Sequence, residues 1–273
     1  MKKENLKNLL LTLGVSACVL IIYKIGGNLI DKITTNTYVR GFAAQFVFAA
    51  AATAAMVILK RTEVLHSDPK YLKKGWASGF VLIIMILFLA FIGIGGIAEA
   101  TCKWWEGLLF VLQMLLVGYC EELIFRGLIL NSLFDFYGED TWAHVMLAIL
   151  VGGAIFGGVH LLNALRPEVS FMAAFMQAFI NVFAGIYYSA IYFRTGKNLW
   201  YVAFLHAFYD MFAMIGTGIL TGTTVDTILN NAEGVQLVSV LFWIVVYGGA
   251  TLLVMRPNAV KPLLKAPEQT VEN

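Results

Sequence analysis

The sequence predicts an all-α integral membrane protein, a bundle of about eight transmembrane helices. Three observations carry that prediction. Hydrophobic residues make up 60% of the 273 and charged residues only 13%, whereas a soluble domain carries about 25% charged residues. The mean hydropathy is +0.79. The apolar residues also run in long blocks, and a helix needs about 20 mostly apolar residues to cross a bilayer.

Read in order, eight blocks qualify: 7–29, 41–59, 76–98, 105–125, 142–163, 171–193, 199–220 and 236–255. The first is interrupted by Lys24, whose long stem lets the ammonium reach an interface. Val15-Ser16-Ala17-Cys18 looks like a lipoprotein cleavage box. The apolar run continues past it through Val19-Leu20-Ile21-Ile22, so the expectation is an uncleaved first span. Residues 127–138 carry Leu128, Leu130, Leu133, Phe134 and Phe136 and read as a short amphipathic stretch that lies at the interface or re-enters. The tail from Arg256 to Asn273 has three prolines and is expected to be a disordered end.

Eight spans place both termini on one side. With that side inside, fourteen of the nineteen basic residues are internal and five (Lys24, Lys32, Arg40, Lys103, Arg166) external. The positive-inside rule therefore predicts cytoplasmic termini. The connections 60–75 and 221–235 are too short to fold alone, so no second soluble domain is expected. The chain divides into N-terminal helices 1–104, a chemically loaded core 105–220, and a last span with a polar tail, 221–273. A net charge of +2, with lysine and arginine confined to short segments between apolar blocks, reads as topology and excludes a nucleic-acid partner. The three cysteines, Cys18, Cys102 and Cys120, form no CxxC pair and predict neither a disulfide framework nor a thiolate zinc site.

Against this apolar background the ionisable residues stand out, because charge at bilayer depth costs several kcal/mol and marks function by default. They fall into three spacings. Glu121-Glu122-Leu123-Ile124-Phe125-Arg126 reads EExxxR, Phe156 to His160 reads FxxxH, and His206 to Asp210 reads HxxxD. Glu121 and Glu122 point about 100° apart on a helix and so do different work. Glu122 and Arg126 share a face, as an ion pair requires, and Glu121 is left as the unpaired carboxylate. His206 and Asp210 also share a face, which suits two metal ligands or a carboxylate that orients an imidazole. Gly152, Gly153, Gly157 and Gly158 precede His160 and allow close helix packing. Gln177 and Asn181 share a face and fit interhelical hydrogen bonds. His66 and His144 lie in or near polar loops and carry no such signal. Carboxylates and imidazoles in one place are groups that activate water.

One tension is visible in this reading. Glu121 falls near the inner end of its span, while His160 lies about 18 residues, roughly 27 Å, into the next. A broken or re-entrant segment around 127–150, or a later start to the fifth span, would bring them together.

The order EExxxR, FxxxH, HxxxD across consecutive apolar segments resembles the CPBP family, which comprises CAAX prenyl endopeptidases and bacteriocin-processing membrane proteins. Phe183-Ala184-Gly185-Ile186-Tyr187, running on to Arg194-Thr195-Gly196, is similar to the segment before that family's last motif, and the resemblance covers about residues 105–215. It implies an intramembrane endopeptidase that acts on a peptide or membrane-protein substrate within the lipid bilayer. Carried over, Glu121 and His160 bind and activate the attacking water, His206 and Asp210 stabilise the oxyanion, and Glu122 and Arg126 support the site. The family often has Asn where this chain has Asp210. An ionised carboxylate cannot donate to an oxyanion, so Asp210 is protonated, orients His206 or holds a cation. The cofactor is left open: a divalent metal such as zinc on Glu121, His160 and His206, or none. Two other readings compete, a non-catalytic binding or bacteriocin-immunity protein and a transporter that uses the charges as an ion path. A transporter predicts an inverted repeat, which the sequence does not show.

Overall fold

The computed structural model describes residues 2–231 and 237–265, and every regular element within them is helical. In chain order these are α1 (Lys2–Ile30), α2 (Thr37–Ile58), α3 (Pro69–Gly75), α4 (Phe80–Ala98), α5 (Trp104–Glu122), a π-helical segment (Leu123–Leu130), α6 (Asn131–Tyr137), α7 (Trp142–Val159), α8 (Phe171–Arg194), α9 (Leu199–Gly216), α10 (Val225–Asn231), α11 (Leu237–Val254) and α12 (Pro257–Val260). Helices are what an apolar chain must form in lipid, where no water satisfies exposed backbone groups. Polar side chains start them: Asn36, Asp68, Thr141, Ser170 and Asn198 accept from backbone N–H groups at the N-termini of α2, α3, α7, α8 and α9.

Among the described residues, seven helices are long and apolar enough to cross a membrane alone. An eighth counts if Val240–Val254 and Pro257–Leu263, bent by 57°, form one broken span. Multi-pass membrane architecture therefore stands, and the predicted eighth span falls on α11, apart from residue 236, which lies outside the described residues, and Met255, just past the helix end. α4 has the highest hydropathy of the spans and is the least buried; Ile84, Leu87 and Phe91 are exposed, as a lipid-facing helix requires.

Two expectations are corrected. Residues 127–137 do not form a separate or re-entrant stretch. They continue the fourth span, which runs unbroken for 34 residues from Trp104 to Tyr137. All eight residues of the π-helical segment are buried, and Asn131 Nδ2 donates to the carbonyls of Arg126 (3.3 Å) and Gly127 (2.9 Å) and to the Tyr192 hydroxyl (2.8 Å). The wider turn frees carbonyls that a nearby side chain can satisfy.

The second correction concerns the tail. Residues 256–265 are ordered, whereas 266–273 lie outside the described residues. α12 and the short helix Lys261–Leu263 fold back on the bundle. Lys265 N–H donates to the Glu139 carbonyl, and Lys265 Nζ and Lys197 Nζ contact the Glu139 carboxylate at 2.7 and 2.9 Å. Burial alone would raise the Glu139 carboxyl, but the two ammonium groups hold it below the usual carboxylate range.

The main helix pairs are α7 on α8, α5 on α9, α2 on α1 and α5, α4 on α9, and α11 on α8. Two of them depend on glycine. A Cβ on Gly118 would meet the Ala203 carbonyl oxygen of α9 at 2.3 Å, and one on Gly157 would meet the Val182 nitrogen of α8 at 2.5 Å. Of the four glycines singled out before His160, Gly153 and Gly157 meet the α8 backbone; Gly152 faces the Leu130 side chain and Gly158 faces open space. One end of the bundle is tied by Asn5 Nδ2 to the Asp135 carbonyl, Arg61 to the Asp135 carboxylate and Trp142 Nε1 to the Met255 carbonyl. The other is tied by Asn36 Nδ2 to Glu106 and Tyr38 Oη to the Ile219 carbonyl.

Candidate active site

The long fourth span resolves the depth mismatch. Glu121 lies 16 residues before Tyr137 and His160 lies 18 residues after Trp142. At 1.5 Å per residue both are therefore about 24–27 Å from the same α6–α7 turn. Neither a broken segment nor a later start to the fifth span is needed; α7 begins at Trp142 as predicted. Close packing at Gly118 sets α5 against α9 one turn before Glu121 and Glu122, which brings His206 against them.

Glu122 Oε1 is the hub. It accepts from Arg126 Nη1 at 2.9 Å and lies 2.7 Å from His206 Nδ1. A carboxylate only accepts, so Nδ1 carries a proton. Arg126 Nη2 donates to the Gly185 carbonyl of α8 at 3.2 Å, and its guanidinium lies 4.3 Å from the Phe156 ring centre and 5.3 Å from that of Tyr188. The Glu122–Arg126 pair expected from spacing is therefore present, and it links α5 and the π-helical segment to α7, α8 and α9. Buried pairs of this kind need such additional hydrogen bonds to offset desolvation.

On its other side His206 Nε2 lies 3.4 Å from Asp210 Oδ2 and 3.8 Å from Glu121 Oε2. With Nδ1 donating to Glu122, Nε2 can donate as well only in the doubly protonated ring. His160 Nδ1 lies 2.9 Å from the Phe156 carbonyl, which can only accept, so a neutral His160 presents Nε2 as an acceptor.

The residues form two layers. The side chains of Glu122, Arg126 and His206 are 0%, 1% and 7% exposed, while those of Glu121 and Asp210 are 23% and 34% exposed. His160 is also partly exposed. A sealed ion cluster thus backs a reachable face of Glu121, His160 and Asp210.

Two participants carried no role in the sequence reading. Phe156 opens the FxxxH spacing, and its ring lies against Arg126, His160 (4.9 Å) and His206 (6.1 Å). Tyr188 packs its ring 5.1 Å from His206, and its buried hydroxyl has no hydrogen-bond partner among the described residues. An apolar helix with three tyrosines, Tyr187, Tyr188 and Tyr192, hides which of them faces the charges. Elsewhere, Gln177 accepts an interhelical bond from Asn163 at 2.7 Å. Cys120 is buried and free, and His144 is exposed beside Asp140.

A metal fits poorly. Among the described residues, no group of three or more His, Cys, Asp or Glu is arranged to hold a metal ion. His206 Nδ1 is engaged by Glu122, and its Nε2 lies nearest the Asp210 and Glu121 carboxylates. The metalloprotease reading, with Glu121, His160 and His206 as three ligands, is not supported.

No curated protein and no solved structure matches the chain. A model of the type II CAAX prenyl endopeptidase Rce1-like family does match, over residues 103–212. That stretch runs from the start of α5 into α9 and contains every residue of the two layers. Residues 103–212 are thus similar to the type II CAAX prenyl endopeptidase Rce1-like family, a protease family.

Proposed function

We propose that the protein is an intramembrane endopeptidase in which Glu121 and His160 activate water and His206 stabilises the oxyanion. The observation that carries this reading is the two-layer arrangement, a sealed Glu122–Arg126–His206 cluster behind the reachable side chains of Glu121, His160 and Asp210. A transporter or a pure binding surface has no need of an unpaired carboxylate and an imidazole acceptor on one reachable face.

In this mechanism a water donates to His160 Nε2 and gives its proton to Glu121 as its oxygen attacks the peptide carbonyl. The new oxyanion replaces Asp210 as the acceptor of His206 Nε2–H, whose ring is held by Glu122 at Nδ1. The Tyr188 hydroxyl is a second available donor. Glu121 then returns the proton to the leaving amine. Residues 105–220 form the catalytic core, and 1–104 and 221–273 scaffold it. The bias of basic residues supports cytoplasmic termini, although Arg126 belongs to the site rather than to a loop.

Asp210 acts in this reading as the acceptor that orients His206 Nε2–H, not as a donor. A hydrogen bond to a charged group contributes about 1.5–3 kcal/mol, so Asp210→Asn is expected to lower kcat about 10- to 100-fold with little change in KM. Wild-type kcat in that variant would return Asp210 to the donor role. Chelators followed by zinc are expected to leave cleavage unchanged. Loss on chelation with recovery on add-back would restore the metal reading.

The reading is tested by comparing new peptide termini in membranes that carry wild type or Glu121→Gln at equal expression. Termini found only with wild type support proteolysis and identify the substrate. Identical termini, where the chain still affects its host, favour the binding reading.

A further inference from the structure

At the end of the bundle where α6 meets α7, a cavity of about 260 Å³ opens between α3, α4, α8 and α11. Its cationic wall is Lys74, Arg194 and Arg256, and no acidic residue lines it. Arg194 and Arg256 lie within Coulombic range of each other. Arg194 donates through Nη1 to the Ala259 carbonyl, and its Nε is buried with no partner among the described residues. Neither Lys74 nor Arg256 has an ion pair among the described residues, and the described acids nearest this end are engaged elsewhere. Glu139 is held by Lys197 and Lys265, Glu63 by Arg61, and Asp68 caps α3.

Three cations with no counter-charge among the described residues repel each other around one cavity, and an anion relieves that repulsion. The position says which kind of anion. Arg194 is the last residue of α8 and of its candidate span, and Val254 is the last of α11, which puts the cavity near the end of two apolar helices, at headgroup depth. Phe80, Leu253 and Val254 form an apolar wall, and Phe80 and Leu253 are exposed to the surroundings of the bundle. A cationic cup that opens sideways onto exposed apolar side chains matches a molecule with a phosphate head and acyl chains. Basic pockets between spans bind anionic lipid heads on this principle.

We propose that this cavity binds the phosphate of an anionic phospholipid. The site is separate from the Glu121 cluster, and the assignment does not depend on the protease reading.

The test uses the full chain in phosphatidylcholine nanodiscs titrated with phosphatidylglycerol, with retained lipid measured by native mass spectrometry. Wild type is expected to retain phosphatidylglycerol in preference to phosphatidylcholine. Each cation contributes about fivefold, so a Lys74→Gln, Arg256→Gln double variant is expected to lose about 25-fold in that preference. Both side chains make no described contact, so the fold is expected to survive, and an unchanged thermal midpoint checks it. The control is Lys24→Gln, Lys32→Gln, which removes the same charge from exposed positions on and just beyond α1. Equal loss in both double variants would reduce the effect to general surface charge and overturn the site. So would the absence of any preference in wild type. Displacement of the lipid by millimolar inorganic phosphate would reassign the cavity to a soluble phosphate and overturn the lipid assignment.

Discussion

Glu121→Gln is expected to lower kcat for peptide cleavage by about 10²- to 10⁴-fold, the usual contribution of a positioned general base, and to leave the chain folded. Both halves follow from where Glu121 sits. Its carboxylate makes no hydrogen bond among the described residues and only a 3.8 Å approach to His206, while the side chain remains reachable. Glutamine has nearly the same shape and fills the same space, so packing against α9 is preserved. What it lacks is the ability to take a proton from water. Helicity and the thermal midpoint in detergent should therefore match wild type while turnover collapses. A variant that unfolds would make Glu121 a structural residue, and one that turns over normally would assign the base elsewhere.

The second large effect concerns the buried pair. Glu122→Ala leaves Arg126 charged and enclosed, and it removes the acceptor of His206 Nδ1. Breaking one side of a buried pair costs about 3–5 kcal/mol, because the other charge stays buried without compensation. Arg126→Ala is expected to cost a similar amount, since it strands Glu122 and also empties the space between Phe156 and Tyr188. The double variant should be less destabilised than the sum of the two, with a coupling of about 2–3 kcal/mol. Unfolding midpoints of the four proteins in one detergent measure this directly. Additive losses would mean that the two side chains hold the fold independently and that the hub at Glu122 Oε1 is not an energetic unit. Activity should be lost in all three variants, because His206 loses its orientation whenever Glu122 is absent or displaced.

Much of this could be read from residues alone. Apolar runs of bilayer length give the spans, since lipid leaves the backbone no alternative to a helix. The i, i+4 spacings of Glu122 with Arg126 and of His206 with Asp210 correctly predict shared faces, because one helix turn fixes both members. Two features were hidden. The sequence from Leu123 to Leu130 contains Arg126 and Gly127 and reads as the end of a span. The chain continues because Arg126 is neutralised inside the bundle by Glu122 and donates to the Gly185 carbonyl, and because Asn131 satisfies the carbonyls released by the π turn. Both are tertiary contacts that no local window contains. The same continuation carries Glu121 to the level of His160. The ordered tail was hidden for a similar reason: its prolines and lysines read as disorder until Glu139, 126 positions earlier in sequence than Lys265, supplies the buried counter-charge. Tyr188 was obscured among neighbouring tyrosines, and only the packing of α8 on α9 selects it.

The decisive measurement is cleavage by the purified full-length chain in lipid nanodiscs, with a peptide that spans the bond found from the new termini. Wild type should cut that bond with no other protein present. Glu121→Gln and His160→Ala, purified at the same thermal midpoint, should cut it at least about 100-fold more slowly. Equal rates for wild type and Glu121→Gln, or no cutting by pure wild type of a peptide that its membranes do cut, would contradict hydrolysis at this site.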